Sequence, residues 1–150
     1  MDEEQFRATY HRLNPTRCIF EKAITNRRCD CEKKRKFTLA TREGVACHTE
    51  ADLQQCTQFL DTLRDSSRFV LKVVMVDGPF PHNKELRVQA GGTLALQKML
   101  CSQGSQPDVT TNINQLIRKA LLEYGSLEAI PYGELIKGVL TYKVRNKKRK

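Results

Sequence analysis

Five of the six cysteines in this chain fall between positions 18 and 56, in the spacing C-x10-C-x-C-x15-C-x8-C; the sixth, Cys101, lies far off. Cysteine is rare in ordinary domains of reducing compartments. A cluster of it there is more often metal-binding or redox-active than disulfide-bonded. The amino terminus, Met1-Asp2-Glu3-Glu4-Gln5, is acidic and polar with no apolar stretch behind it. Secretory signals have the opposite character and transit peptides avoid acids, so a cytoplasmic location is expected. No apolar window reaches the roughly 20 residues of a membrane helix. Whatever Cys18, Cys29, Cys31, Cys47 and Cys56 do, they are expected to do as thiols or thiolates.

Thiolates from separate elements satisfy either tetrahedral zinc or a four-cysteine iron–sulfur cluster. Structural zinc sites usually open on a C-x2-4-C knuckle, and the close pair here, Cys29-Asp30-Cys31, is one residue too tight. Cluster corners lie several ångströms apart and suit ligands spread over the chain. The expected cofactor is therefore an iron–sulfur cluster, [4Fe–4S], with zinc as the alternative. Cys18, Cys29, Cys31 and Cys47 are the first choice of ligands. Cys56 is the substitute, since it shares an apolar stripe with Leu53, Leu60 and Leu63 and also reads as a small buried hydrophobe. Cys101 reads as a core residue. A ferredoxin-type run with two-residue spacers is missing.

The net charge of +9 is concentrated in two runs. Arg27 to Lys36 (RRCDCEKKRK) carries six cations and two acids, and Lys143 to Lys150 (KVRNKKRK) carries six cations and no acid. Cations beside thiolates stabilise them without choosing between zinc and iron. Arg27, Arg28, Lys33, Lys34, Arg35 and Lys36 are the candidate partner-binding residues, either for an acidic redox protein or for nucleic-acid phosphates. Solvated loop and tail is the plainer account of both runs. Aromatics among them are few (Phe37, Tyr142), which gives little support for base stacking.

Catalytic motifs are missing: no P-loop, G-x-G-x-x-G, G-x-S-x-G or H-E-x-x-H is present. His48 adjoins Cys47 too closely to share an ion with it, and His11 and His82 have no partner pattern. No small-molecule substrate is indicated. The functions expected are electron transfer or redox sensing by an iron–sulfur protein, with a zinc-stabilised nucleic-acid-binding module as the alternative.

The fold expected is α+β, mostly helical, with a small antiparallel element and a carboxy-terminal helical pair in a single compact domain. The cysteine-rich portion covers residues 1–101, the helical pair 109–142 and a basic tail 143–150, with the polar run 102–108 as the break. Asn14-Pro15 predicts a helix to about Asn26 that carries Cys18. Thr49 with Asp52 predicts the cap of a helix bearing Leu53, Cys56, Phe59, Leu60 and Leu63. Residues 113–124 carry a clean helical stripe stopped by Gly125. Pro131 opens a last helix with Leu135, Ile136, Val139 and Leu140 inward. Phe69 to Val76 leans toward strand and residues 77–81 toward a turn. Glu85 to Ala90 alternates like a half-buried strand, broken by Gly91-Gly92, after which Thr93 caps a short helix.

Overall fold

The computed structural model describes residues 2–74, 79–101 and 107–144. Helix α1 (Glu3–Leu13) starts with a capping box: Asp2 Oδ1 accepts from Gln5 N at 2.7 Å, and Gln5 Oε1 accepts from Asp2 N at 3.3 Å. Only Tyr10 of this helix is buried, so its apolar signal is weak and the cap alone marks it.

Asn14 ends α1 rather than opening a helix, which corrects the expectation of a helix from residue 15 to 26. Its amide donates to Tyr10 Oη at 3.0 Å and to Val45 O at 3.1 Å. The stretch beyond it lies along strand β2 (Arg42–Cys47): Cys18 N donates to Val45 O, and Cys47 N donates to Thr16 O. Those tertiary hydrogen bonds outweigh local helix preference, and helix α2 is left with Glu21–Thr25. Cys18 therefore stands on a turn against the sheet.

Strand β1 (Lys34–Leu39) pairs antiparallel with β2, from Lys34 opposite Cys47 to Leu39 opposite Arg42. The small β element is this hairpin, at the place where the basic run read as a loop. Helix α3 (Glu50–Ser67) follows directly. Thr49 caps it, accepting from Asp52 N at 3.3 Å. Cys56, Phe59, Leu60 and Leu63 form its buried stripe, as their spacing predicts.

Residues 69–74 form no strand: they turn, leaving Phe69 and Val74 almost fully exposed. Met75, Val76 and the expected turn residues Asp77 and Gly78 lie outside the described residues. Glu85 to Ala90 is likewise not a strand. Helix α4 (His82–Leu86), a π-helical stretch (Arg87–Gly91) and helix α5 (Gly92–Leu100) run on as one rod, and Gly91-Gly92 does not break it. The alternation misleads because it puts the polar residues outside. Glu85 and Gln89 are buried, one helical turn apart, and Gln89 Nε2 donates to Glu85 Oε2 at 2.7 Å. Thr93 caps nothing; its hydroxyl donates back to Gln89 O at 2.7 Å.

Helix α6 (Ile113–Tyr124) is capped by Asn112 and ends on Gly125, whose φ of 90° is the left-handed conformation glycine adopts at no steric cost. Helix α7 (Tyr132–Thr141) buries Leu135 and Val139, whereas Leu140 points outward at 45% exposure, against expectation. Helices α5 and α7 cross closely at Gly138, where a Cβ would stand 2.6 Å from Ala95 Cβ. The rod is sheathed by α3, α7 and α2 in one compact, mostly helical domain, with one hairpin among the described residues. No helix among the described residues is long and apolar enough to cross a membrane.

Candidate metal centre

Four elements meet around one pocket that opens beside the hairpin. The turn after α1 brings Cys18, the loop before β1 brings Cys31, the end of β2 brings Cys47 and the second turn of α3 brings Cys56. Each arrives for a local reason. The hydrogen bonds of Thr16 and Cys18 to β2 hold the first beside the third. Asp30 N donates to Thr110 O at 2.9 Å and Ile113 N to Asp30 O at 2.9 Å, so the loop bearing Cys31 is moored to the start of α6. The Thr49 cap directs α3 so that its buried stripe, Cys56 included, faces the same point.

The sulfurs are received by main-chain donors. Phe20 N donates to Cys18 Sγ at 3.4 Å and Lys33 N to Cys31 Sγ at 3.4 Å. The Asn114 N–H also bonds Cys31. Such donors stabilise a thiolate and, around an iron–sulfur cluster, help set its potential. Asn114 lines the pocket, and its Oδ1 is buried with no hydrogen-bond partner among the described residues. Asp52, also in the lining, has its carboxyl lowered from the usual range, chiefly by the Thr49 hydroxyl and further by Asn114 and Arg118.

Burial pushes the Cys18 thiol up to about 12, and the neighbouring thiols Cys31, Cys47 and Cys29 add to the effect. Burial also raises Cys56, reinforced by Cys18, Cys31 and Cys47, and raises Cys31 against its two N–H donors. Without a cation between them these groups are neutral thiols, and binding metal must release their protons. In the metal-free protein the folded state holds those protons more tightly than the unfolded chain. The stability these thiols contribute is therefore fully present below about pH 9 and is lost as pH rises through about 12, the window given by Cys18 together with Cys29, raised to about 11. Denaturant midpoints of metal-free protein across that range are expected to drop steadily. A flat profile would contradict this environment for the sulfurs.

The donor set suits a thiophilic centre. The free cavity among the sulfurs is about 20 Å³, room for a single water. An inorganic core must therefore part the elements around it; Cys18 and Cys31 lie outside the helices and strands. Among the described residues, no group of three His, Cys, Asp or Glu side chains is placed to hold a single metal ion.

Cys29 stands to one side. It is buried, with its Sγ 3.5 Å from Thr93 Oγ1, and it faces a separate groove lined by Ile24, Arg27 and Val109. Cys101 is half-buried with Lys119 Nζ at 3.3 Å from its sulfur. His48 is exposed, and His82 Nδ1 lies 3.0 Å from Lys22 Nζ.

The basic run is largely engaged. Arg27 Nη2 pairs with Glu43 Oε2 at 3.2 Å, Lys33 reaches Asp52 at 3.9 Å and Lys34 pairs with Asp30. Arg28 turns to the carboxy-terminal stretch, while Arg35 and Lys36 are exposed. Two residues of the site were missed in the sequence, Asn114 and Asp52. An asparagine at a buried position of an otherwise apolar helical stripe was the available signal for the first. Compared with protein-family models, curated proteins and solved structures, the chain matches none.

Proposed function

We propose that Cys18, Cys31, Cys47 and Cys56 hold an iron–sulfur cluster, [4Fe–4S], and that the protein serves electron transfer or redox sensing. The observation that carries this reading is the shared pocket of these four thiols, two of which already accept main-chain N–H bonds. When bound, such a cluster supplies a one-electron couple. The chain's own residues exclude water from it and donate N–H bonds to its ligands. Cys31, Cys47 and Cys56 are buried, while Cys18 is half-buried. The Cys18 corner is therefore the side from which electrons or oxidants arrive.

Stepwise dithionite reduction of anaerobically purified protein tests the reading. Visible charge-transfer absorption is expected to bleach and to return on reoxidation. Colourless protein that takes up no electrons would overturn it, and one zinc per chain would favour the alternative ion.

A further inference from the structure

A groove of about 570 Å³ opens between α2, α3 and α4, with Cys18 and Ile19 in its wall. That volume falls within the roughly 300–1,000 Å³ usual for small-molecule sites. Its lining is mixed. Ile19, Pro79 and Phe80 offer apolar surface, and charged side chains of both signs complete it.

The acids of this groove are all taken up. Arg17 Nε donates to Glu21 Oε1 at 2.7 Å, and Val45 N donates to Glu21 Oε2 at 2.8 Å. Arg64 Nη2 stands 2.7 Å from Glu85 Oε2. Glu43 pairs at 3.2 Å with Arg27, which reaches it from outside the lining. Arg17 and Arg64 are spent in the same contacts. Lys22 is the lining cation left over: it is half-buried, and among the described residues it is in no ion pair. Glu21 feels the ammonium only from beyond ion-pair distance. Its Nζ lies 3.0 Å from His82 Nδ1, which joins α2 to α4. A ring nitrogen accepts a hydrogen bond but cancels no charge, so Lys22 keeps its charge and its remaining donors.

We propose that this groove binds a small organic monocarboxylate, received by Lys22 and His82, with its apolar body along Ile19, Pro79 and Phe80. One cation without an acid matches one negative charge. The three lining carboxylates, paired as they are, still disfavour a polyanion, so phosphates fit less well. A ligand in the groove also covers Cys18, the half-buried corner of the candidate metal centre. Shielding of a bound cluster therefore follows, and that part rests on the cluster reading; the binding itself does not.

Dansylglycine, a fluorescent monocarboxylate, and dansylamide, the same fluorophore without the carboxylate, test the proposal on full-length metal-free protein. A saturable gain in emission is expected with dansylglycine and not with dansylamide. Lys22→Gln weakens binding by roughly tenfold or more, and Lys22→Arg restores most of it. Bound dansylglycine slows N-ethylmaleimide labelling of Cys18, read by peptide mass, and leaves that of Cys101 unchanged. Equal binding of dansylamide, or an unchanged affinity in Lys22→Gln, overturns the site. So does equal labelling of Cys18 with and without the ligand. Displacement by inorganic phosphate and not by benzoate overturns the choice of a carboxylate. In iron-loaded protein, saturating benzoate is expected to slow bleaching by ferricyanide several-fold, and an unchanged rate overturns the shielding. If the purified protein holds no iron, the redox reading falls, while the Lys22 variants and the Cys18 labelling still decide the groove.

Discussion

Cys31→Ser is expected to empty the metal site, and Cys29→Ser to leave it filled, although the two residues are separated only by Asp30. Cys31 lines the shared pocket and accepts N–H bonds from Lys33 and Asn114. Cys29 turns the other way, onto the hydroxyls of Thr93 and Thr110, in a position a serine can occupy with its own hydrogen bonds. Serine is a much poorer ligand than thiolate for soft iron centres. Iron and sulfide content should therefore fall close to zero in Cys31→Ser, and equally in Cys56→Ser, while Cys29→Ser keeps that of the parent. The opposite pattern, with iron lost in Cys29→Ser and kept in Cys56→Ser, would move the site to the other side of the loop.

The largest stability effect is expected at Glu85, which has no part in metal binding. Arg64 on α3 places Nη2 at 2.7 Å and Nε at 3.2 Å from its carboxylate, and both side chains are buried. Phe80 N and Gln89 Nε2 complete the shell of the carboxylate at 2.9 and 2.7 Å. Without Glu85 the buried guanidinium keeps only the exposed Asp61 carboxylate, 3.0 Å from its Nη1, among the ion pairs of the described residues, and losing the buried partner costs about 3 kcal/mol. Glu85→Ala should therefore lower the unfolding midpoint by roughly 10 °C in a chain of this size. Replacing both members by apolar residues, Arg64→Met with Glu85→Leu, should recover much of that loss, because no charge is left buried. A single-variant loss below about 1 kcal/mol, within the range of an exposed pair, would show that the carboxylate is hydrated.

The same residues show why the sequence was legible in some places and misleading in others. Helices α3, α6 and α7 bury one stripe each and expose the rest, so periodicity reports them well. The rod is buried nearly all round between Glu85 and Gln97, and its inward positions include Glu85 and Gln89. Period and polarity then disagree, and the segment reads as a strand. Residues 16–18 depart from the expected helix for a different reason. Asn14-Pro15 is a sound local helix start, but hydrogen bonds to β2, invisible from the sequence, claim the backbone first.

For the cysteines, clustering was informative and order was not. Neighbours in the chain, Cys29 and Cys31, diverge, while Cys56, read as a core residue or a spare, joins Cys18 and Cys47 in the pocket. In extended backbone the two cysteines of a C-x-C would share a face, so their divergence reflects the irregular loop, which turns Cys29 onto Thr93 and Cys31 into the pocket. The basic run was legible as charge but not as pairing: Glu43, Asp30 and Asp52 take up Arg27, Lys34 and Lys33 from positions that local sequence does not connect.

Iron and acid-labile sulfide, measured per chain on protein isolated without oxygen, bear most directly on the central claim. The two are expected in equal amounts, about four of each for a filled cubane, with both lost together in Cys31→Ser. Protein that carries neither element after anaerobic isolation and reconstitution, with four titratable thiols at these positions, would contradict it.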